Sequence, residues 1–237
     1  MREIVARLVR KTFFFVPPPL MDALFFEIFS GWGRFRAKPF VLDKNRENYL
    51  NLGSGAHAVE GLINIDFFST KGIDYGADLR FPLLIESGSV NGIFCEHTLE
   101  HLNYNEVDAL LGECHRIMKP GSTIRIVLPD LSLFLKSYCG KNEEWFREWE
   151  RLMFIDSEDP GRSRRKLLSP LGAVSFVTQE YGHVSAWDFE TLKIYLEKNN
   201  FRDITRSGFR KGRCGKLLAD LDSEDRRFVS MYVEAVK

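Results

Sequence analysis

Short apolar segments alternate with an amphipathic helical pattern in the middle of the chain. Apolar runs that stop at a glycine, an acid or a proline are typical of buried strands, and they occur at residues 49–52, 62–65, 90–95 and 123–128. Between the last two runs, residues 105–118 place their apolar side chains on one face, which predicts a helix capped by Asn105. Strands that alternate with helices predict an α/β protein with a parallel sheet covered on both sides.

The segment after the fourth predicted strand breaks this rhythm. Residues 131–185 contain two tryptophans and a charged run, and they separate the early strands from the late elements. A further helix is predicted to begin at Ser185, whose hydroxyl can cap it with Asp188 three residues later, and residues 229–236 predict a closing strand. Insertions of this kind often carry substrate-specific structure. We therefore interpret 131–185 as a substrate-side insertion within one domain, 45–237.

Residues 1–44 differ in character and are interpreted as an N-terminal helical arm. The arm has a basic start and two short apolar stripes separated by three consecutive prolines. A basic, aromatic-rich helix can lie in a membrane interface, but packing of the stripes on the main domain is the favoured interpretation. No apolar run approaches the roughly 18 residues that a spanning helix needs. Peripheral membrane contact through this arm stays open as the alternative.

Composition narrows the classes of function. The 237 residues include 33 Lys and Arg against 33 Asp and Glu, so the formal net charge is zero. A protein that wraps nucleic acid normally shows a basic surplus, which disfavours a nucleic-acid partner. The four cysteines form no C-x-x-C pair, which supports neither a disulfide framework nor a zinc ribbon. We expect a reduced, cytoplasmic protein, and its oligomeric state stays open.

The strongest local signal for chemistry is a strand that runs into glycines. Gly53, Ser54 and Gly55 follow the first predicted strand, and glycine lets a backbone turn tightly and approach a ligand closely. The second strand ends in Asp66, where a carboxylate can accept two hydrogen bonds from ribose hydroxyls. Alone, G-x-G is a weak signal, and Asp66 could equally cap a turn or a helix. A dinucleotide-binding loop would have a final glycine that this chain lacks, which disfavours NAD.

Five motifs follow one another in an order that resembles a known enzyme family. They read YLNLGSG at 49–55, NID at 64–66, ADL at 77–79, IFCEH at 93–97 and RIMKPG at 116–121. The series resembles the class I, Rossmann-like S-adenosylmethionine-dependent methyltransferases of the short bacterial or archaeal type. The resemblance is good over residues 45–130 and looser over 183–237. It implies a seven-stranded, mostly parallel sheet with helices on both faces, and S-adenosylmethionine as the cofactor.

The resemblance also implies a cofactor site, position by position. The glycine loop would pass under the methionine part of the cofactor, Asp66 would hold the ribose, and Asp78 with Leu79 would meet the adenine. The end of the fourth strand would border the sulfonium and the acceptor. The implied cofactor-binding residues are Asn51, Leu52, Gly53, Ser54, Gly55, Asp66, Phe67, Asp78, Leu79, Cys95, Glu96 and His97. The family often has an acid at the position of Asn51, so that contact would differ here.

The implied reaction is methyl transfer to a small-molecule or glycan-type acceptor, at oxygen. A hydroxyl acceptor must lose its proton, and a histidine with a pKa near neutrality suits that step. His183, just after the insertion, is the first candidate base, and His97 at the end of the fourth strand is the second. A hydrogen bond from His183 to a loop carbonyl is the structural alternative. Nucleic-acid methyltransferases that act on exocyclic amines commonly carry a D/N-P-P-Y/F element, where this chain reads CEHT.

Two other functions are weighed against this one. An adapter could bind the cofactor without catalysis. A zinc-dependent hydrolase could use His97-x-x-Glu100-His101, which matches a motif whose two histidines share a helical face. The third ligand would come from Glu96, His115 or His183. We expect no tightly held metal, because this motif lies where the methyltransferase interpretation places the rim of the active site.

Overall fold

One seven-stranded sheet forms the centre of the structure, a computed structural model that describes residues 18–67, 71–155 and 169–237. The strands are β1 (Tyr49–Leu52), β2 (Ile63–Asp66), β3 (Tyr75–Gly76), β4 (Val90–Glu96), β5 (Met118–Pro129), β6 (Arg202–Arg206) and β7 (Ser230–Val236). Their order across the sheet is β3-β2-β1-β4-β5-β7-β6.

The strand directions determine where a ligand can bind. Strands β1 to β5 pair in parallel, whereas β7 is antiparallel to both β5 and β6. The carboxyl ends of the parallel strands therefore meet at one edge of the sheet, which is the usual ligand-binding edge of such folds. The predicted seven-stranded, mostly parallel Rossmann-like fold is confirmed.

Helical segments pack on both faces of the sheet. The α-helices are α1 (Pro18–Arg36), α2 (Tyr104–Ile117), α3 (Leu131–Cys139), α4 (Glu143–Glu150), α5 (Pro170–Gln179), α6 (Phe189–Lys198) and α7 (Glu224–Val229). Apolar residues of α2 and α6 share one core with β1, β4 and β5 on one face. On the other face, Leu217 from the short 3₁₀ helix Gly215–Leu217 packs against Phe94 and Tyr232. None of the described helices has both the length and the apolarity needed to cross a bilayer.

Two predicted helix caps are wrong. Helix α2 is capped by Asn103, whose side chain accepts from the backbone N–H groups of Asn105 and Glu106, and the Glu106 carboxylate accepts from the Asn103 N–H in return. This reciprocal arrangement is a capping box, and it displaces the predicted cap by two residues. Helix α6 is capped by Asp188 itself and not by Ser185. The Ser185 hydroxyl instead donates to the carbonyl of Leu99, in the 3₁₀ helix Leu99–His101, so helix α6 begins later than predicted.

The described part of the segment predicted as an insertion forms a second, aromatic core together with Val229 of α7. Helices α3, α4 and α5 and the π-helical turn Arg151–Ile155 bring together Phe134, Trp149, Phe154 and Phe176, whose rings meet edge to face with centroids 5.1 to 5.6 Å apart. Edge-to-face packing suits the opposite polarity of ring faces and edges. This core fixes the described part of the insertion, with α3 beginning just after the carboxyl end of β5.

A buried ionic network joins β5 to β7 and to the loop between β6 and α7. Arg125 is fully buried in β5, and its guanidinium donates to both carboxylate oxygens of Asp220 at 2.6 and 2.7 Å and to Glu234 of β7 at 3.2 Å. The backbone N–H groups of Arg210 and Arg213 supply further donors to the two acids. Every charge in the network thus has hydrogen-bond partners, which a buried ion pair requires.

Candidate functional site

The glycine loop after β1, residues 53–55, contacts the protein on one side and has open space at Gly55 on the other. Gly53 and Gly55 both have positive φ angles, +68° and +54°, and the N–H groups of Gly53 and Ser54 donate to the carbonyl of Ile65 in β2. A Cβ on Gly53 would lie 2.2 Å from the hydroxyl of Thr98, so a side chain there is excluded. A Cβ on Gly55 would meet no atom within 4 Å. The loop therefore rests on β2 and Thr98 and leaves open space at Gly55.

Two polar side chains at this loop fit a bound ligand. Asp66, at the end of β2, accepts a hydrogen bond from the Gly55 N–H at 2.9 Å, which places its carboxylate beside the open loop. The hydroxyl of Ser54 is buried and has no hydrogen-bond partner in the described part of the chain. Because an unpaired buried hydroxyl is costly, a ligand with a donor or acceptor at this point would satisfy it.

Asn51 supports the loop from inside the protein. It is buried, and its Nδ2 donates to the Asn64 Oδ1 at 2.9 Å and to the carbonyl of His57 at 3.2 Å. Asn64 in turn accepts from the N–H of Val59 and is tied to Asp74. This network fixes the connection between β1 and β2, and a contact of Asn51 with the cofactor stays a prediction.

Asp78, the predicted adenine-side acid, is already paired. Arg80 donates to both of its carboxylate oxygens at 2.8 to 3.3 Å, and Ser30 and Arg34 of α1 reach the same carboxylate. Burial acts to raise the pKa of Asp78, but the hydrogen bonds from Arg80 and Ser30 outweigh it and hold that pKa below its usual value. An adenine contact at Asp78 stays a prediction, and the involvement of α1 was not foreseen from the sequence.

A cavity of about 790 Å³ lies beside this network. It is lined by α1 on one side and by Phe67, Ala77 and Asp78 on the other. The Phe67 ring stacks on Phe26 of α1, with centroids 4.3 Å apart. The structure thus brings the predicted residues Phe67 and Asp78, which follow β2 and β3, to one cavity that is bounded on its outer side by α1.

The end of β4 connects the glycine loop to a second pocket. Cys95 is buried, and burial raises the pKa of its thiol to about 12, so the thiol stays neutral. The Glu96 carboxylate accepts from the N–H of Leu221, and burial raises its pKa, with Arg226 acting in the opposite direction. Thr98 packs under Gly53. Residues on either side of Thr98 therefore lie close to the predicted methyl-donor site.

His97 is held in an unusual conformation. Its φ is +48°, which is uncommon for a residue with a side chain. Its Nε2 lies 2.8 Å from the hydroxyl of Ser230, and its Nδ1 lies 3.3 Å from a carboxylate oxygen of Glu100. Strained backbone of this kind persists where the surroundings fix it, often at functional sites.

Glu100 is the most perturbed acid of this region. Glu100 is 2% exposed, and apart from the 3.3 Å approach of the His97 Nδ1 neither of its carboxylate oxygens has a hydrogen-bond partner within the described residues. Burial raises its pKa to about 8, so it is protonated at neutral pH. The sequence motif pointed to Glu100 only as part of a zinc signature. Its burial could not be read from the motif.

Three histidines line the second pocket, which has a volume of about 330 Å³. His97, His101 and His183 line it together with Glu100, and Phe134, Trp149, Phe176 and Tyr181 of the insertion form its apolar wall. The rings of His101 and His183 meet edge to face at 4.9 Å. Both candidate bases named from the sequence therefore share one pocket with residues of the insertion.

His183 has a defined tautomer in this pocket. Its Nδ1 lies 2.7 Å from the carbonyl oxygen of Val177, so Nδ1 carries the hydrogen and Nε2 keeps the lone pair. Burial lowers the pKa of His183, and the bond to Val177 opposes that shift. The imidazole is therefore neutral at pH 7 and can accept a proton at Nε2. The predicted alternative named a loop carbonyl as the partner, but the partner is a carbonyl of helix α5, and the bond uses only Nδ1.

The same pocket contains the residues that could hold a metal. Ligand atoms of Glu100, His101 and His183 lie within 4.8 Å of one another. The hydrolase motif needs two histidines on one helical face, but His97 lies outside the 3₁₀ helix Leu99–His101. The geometry of that motif is therefore not present here.

The chain is similar to known proteins in sequence over one segment and in structure over most of its length. Residues 73–126 match the family model described as a methyltransferase domain. No curated protein sequence matches the chain. Similar solved structures include a SAM-dependent methyltransferase from Archaeoglobus fulgidus, with 19% identity, a TM-score of 0.45 and coverage of 90% of this chain and 94% of that one.

Two further solved structures that are similar to the chain are described as methyltransferases of different substrates. Phosphoethanolamine N-methyltransferase 2 of Haemonchus contortus, in complex with S-adenosyl-L-methionine, has 13% identity and a TM-score of 0.45, with coverage of 87% of this chain and 51% of that one. A possible histamine N-methyltransferase of Thermotoga maritima has 12% identity and a TM-score of 0.47, with coverage of 92% and 94%. The match at residues 73–126, together with the Rossmann-like sheet, supports an S-adenosylmethionine-dependent methyltransferase.

Proposed function

We propose that the protein transfers the methyl group of S-adenosylmethionine to a hydroxyl oxygen of a small-molecule or glycan-type acceptor bound in the second pocket. One observation carries this proposal. A pocket lined by three histidines and a buried acid includes His97, and the next residue, Thr98, packs directly under the glycine loop. Donor and acceptor would then meet at the end of β4, as an in-line transfer requires.

The donor side uses groups that lie at the glycine loop. The open backbone at Gly55, the half-buried carboxylate of Asp66 and the unpaired hydroxyl of Ser54 fit a ligand with a ribose and an amino-acid portion. The sulfonium of the cofactor supplies a methyl group that is already electrophilic. The chain itself has to bind, align and exclude water, and then remove the proton of the acceptor.

The acceptor side has a base and an apolar wall. His183, neutral at pH 7 with a lone pair on Nε2, takes the hydroxyl proton, and His97 is the second candidate for this role. Phe134, Trp149 and Phe176 line the pocket and make one wall apolar, which suits a small-molecule acceptor such as a sugar ring. The pocket volume of about 330 Å³ lies at the small end of the usual range for ligand sites.

The test replaces His183 with Ala and measures methyl transfer from labelled S-adenosylmethionine to fractionated cell extract or a panel of hydroxyl acceptors. We expect turnover to fall about 100- to 10,000-fold, with cofactor affinity unchanged. The loss should shrink as pH rises, because hydroxide can partly replace the base. His115→Ala is the matched control, since His115 lies on α2, where its ring contacts Phe201. Full activity of His183→Ala, or equal losses in binding and turnover, would contradict the role.

The other two functions have their own signatures. An adapter would bind the cofactor and never form S-adenosylhomocysteine, even with extract. A hydrolase would carry stoichiometric zinc through purification and lose it in His101→Ala. We expect turnover of the cofactor and no tightly held metal. Elemental analysis that finds about one zinc per chain after dialysis against chelator would favour the hydrolase instead.

A further inference from the structure

Helix α1 is attached to the domain through one face. Glu27 pairs with Arg80, and Ser30 and Arg34 contact Asp78. These three residues of α1 follow a spacing of three and four, so they share one side of the helix. Hydrogen bonds to Arg80 hold the pKa of Glu27 below its usual value. The described helix is thus docked in a defined orientation over the adenine-side cavity.

A different face of α1 is apolar and exposed. Its residues follow a spacing of four, four, four and three, so they form a continuous stripe about 23 Å long. The exposed fractions are 60% for Leu20, 54% for Leu24, 53% for Ile28, 58% for Trp32 and 90% for Phe35. Val41, which follows the helix, is 85% exposed. Contiguous apolar surface of this kind marks an interaction site.

The basic charge of residues 1–38 favours an anionic partner for the apolar stripe. Residues 1–38 hold seven Lys and Arg against three Asp and Glu, a net charge of +4. The whole chain has a net charge of zero, so residues 39–237 carry −4. Within the described part, Arg36 and Lys38 are exposed next to the aromatic end of the stripe, and the Arg36 guanidinium lies 6.0 Å from the Trp32 ring. The basic surplus is therefore confined to the arm that carries the apolar stripe.

We propose that α1 is an interfacial helix that docks the enzyme on an anionic membrane surface. The stripe enters the boundary between headgroups and acyl chains, Trp32 lies at headgroup depth, and Arg36 and Lys38 contact the phosphates. A second copy of the chain fits less well, because it would bring together two stripes that each carry exposed basic side chains, Arg36 and Lys38. The docked face, through Glu27 and Ser30, fixes the catalytic domain relative to the membrane plane.

The test measures flotation of the full-length protein with two kinds of vesicle. Vesicles of phosphatidylcholine alone are compared with vesicles that also contain phosphatidylglycerol, at low and high salt. We expect binding to the anionic vesicles only, weakened by salt. The double variant Trp32→Ser, Phe35→Ser should lose at least about tenfold in partitioning. The double variant Leu171→Ser, Ile194→Ser is the control, since these side chains are 58% and 62% exposed on α5 and α6.

Several results would overturn the proposal. They are equal binding to neutral vesicles, absence of binding to both, and unchanged binding of the Trp32/Phe35 variant. A dimer in sedimentation equilibrium that this variant converts to monomer, without vesicle binding, would assign the stripe to a second copy. If the variant has a lower Tm than wild type, the charge variant Arg36→Glu, Lys38→Glu replaces it, with the same expected loss. Methyl transfer enters none of these measurements, so this proposal and the proposed function fail separately.

Discussion

Asp66→Ala tests the donor site most directly. Asp66 ends β2 and reaches the glycine loop, where its Oδ2 accepts from the Gly55 N–H at 2.9 Å. If the ribose hydroxyls of the cofactor bind this carboxylate, the substitution removes two hydrogen bonds to a charged acceptor. Each contributes about 1.5–3 kcal/mol before water compensates. A net loss of about 2–4 kcal/mol corresponds to an affinity about 30- to 1000-fold weaker.

The assay is calorimetric titration with S-adenosylmethionine and S-adenosylhomocysteine. Asp66→Asn separates two effects, because the amide keeps an oxygen for the Gly55 N–H but loses the charge. Glu60→Ala, which removes an exposed carboxylate from the connection between β1 and β2, controls for net charge. An unchanged affinity in a folded Asp66→Ala protein would refute the ribose assignment. The same loss in Glu60→Ala would trace the effect to charge alone.

Two further predictions concern the glycine loop and the buried acid. Gly55→Ala should weaken cofactor binding while destabilising the fold no more than Gly88→Ala, because both glycines have positive φ and open space around a Cβ; equal affinities of the two variants, measured by calorimetry, would contradict this. The pKa of Glu100 is raised from 4.5 to about 8 by burial, so the native state holds an extra proton between these values and the free energy of unfolding should fall as pH rises through this window. Glu100→Gln should flatten that fall in urea titrations at a series of pH values, and parallel curves for both proteins would refute the assignment.

The fold followed from periodicity where the strands are buried. Strands β1, β2, β4 and β5 are covered by other elements, so most of their residues are buried. Each strand therefore shows up in the sequence as a run of mostly apolar residues. Strand β3 has two residues, and β6 is largely exposed with the sequence RDITR, so neither gives an apolar signal. Edge strands of this kind are stabilised by pairing rather than by burial of their side chains. They became visible only in the assembled sheet.

The candidate site was also predicted only in part, because a sequence pattern reveals features that depend on residues close in the chain. Local sequence showed the turn at Gly53 and the acid at the end of β2, since both depend on residues close in the chain. The pairing of Ser30 with Asp78 and the approach of His101 to His183 join residues 48 and 82 positions apart. No local pattern encodes such contacts. The raised pKa of Glu100 is likewise a result of packing and not of the motif around it.

The buried ionic network around Arg125 also disfavours a wrong alignment of β7 with β5. In the native ladder, Arg125 of β5 lies opposite Glu234 of β7. A slip of one residue would turn Glu234 to the other face of the sheet and leave both charges buried without each other. Breaking a buried pair in this way costs about 3–5 kcal/mol. Apolar neighbours such as Val233 and Ala235 could tolerate a wrong alignment, but the ion pair penalises it. Strand β7 therefore contributes to its own alignment, because its pairing with Arg125 stabilises one register with β5 and disfavours the neighbouring ones.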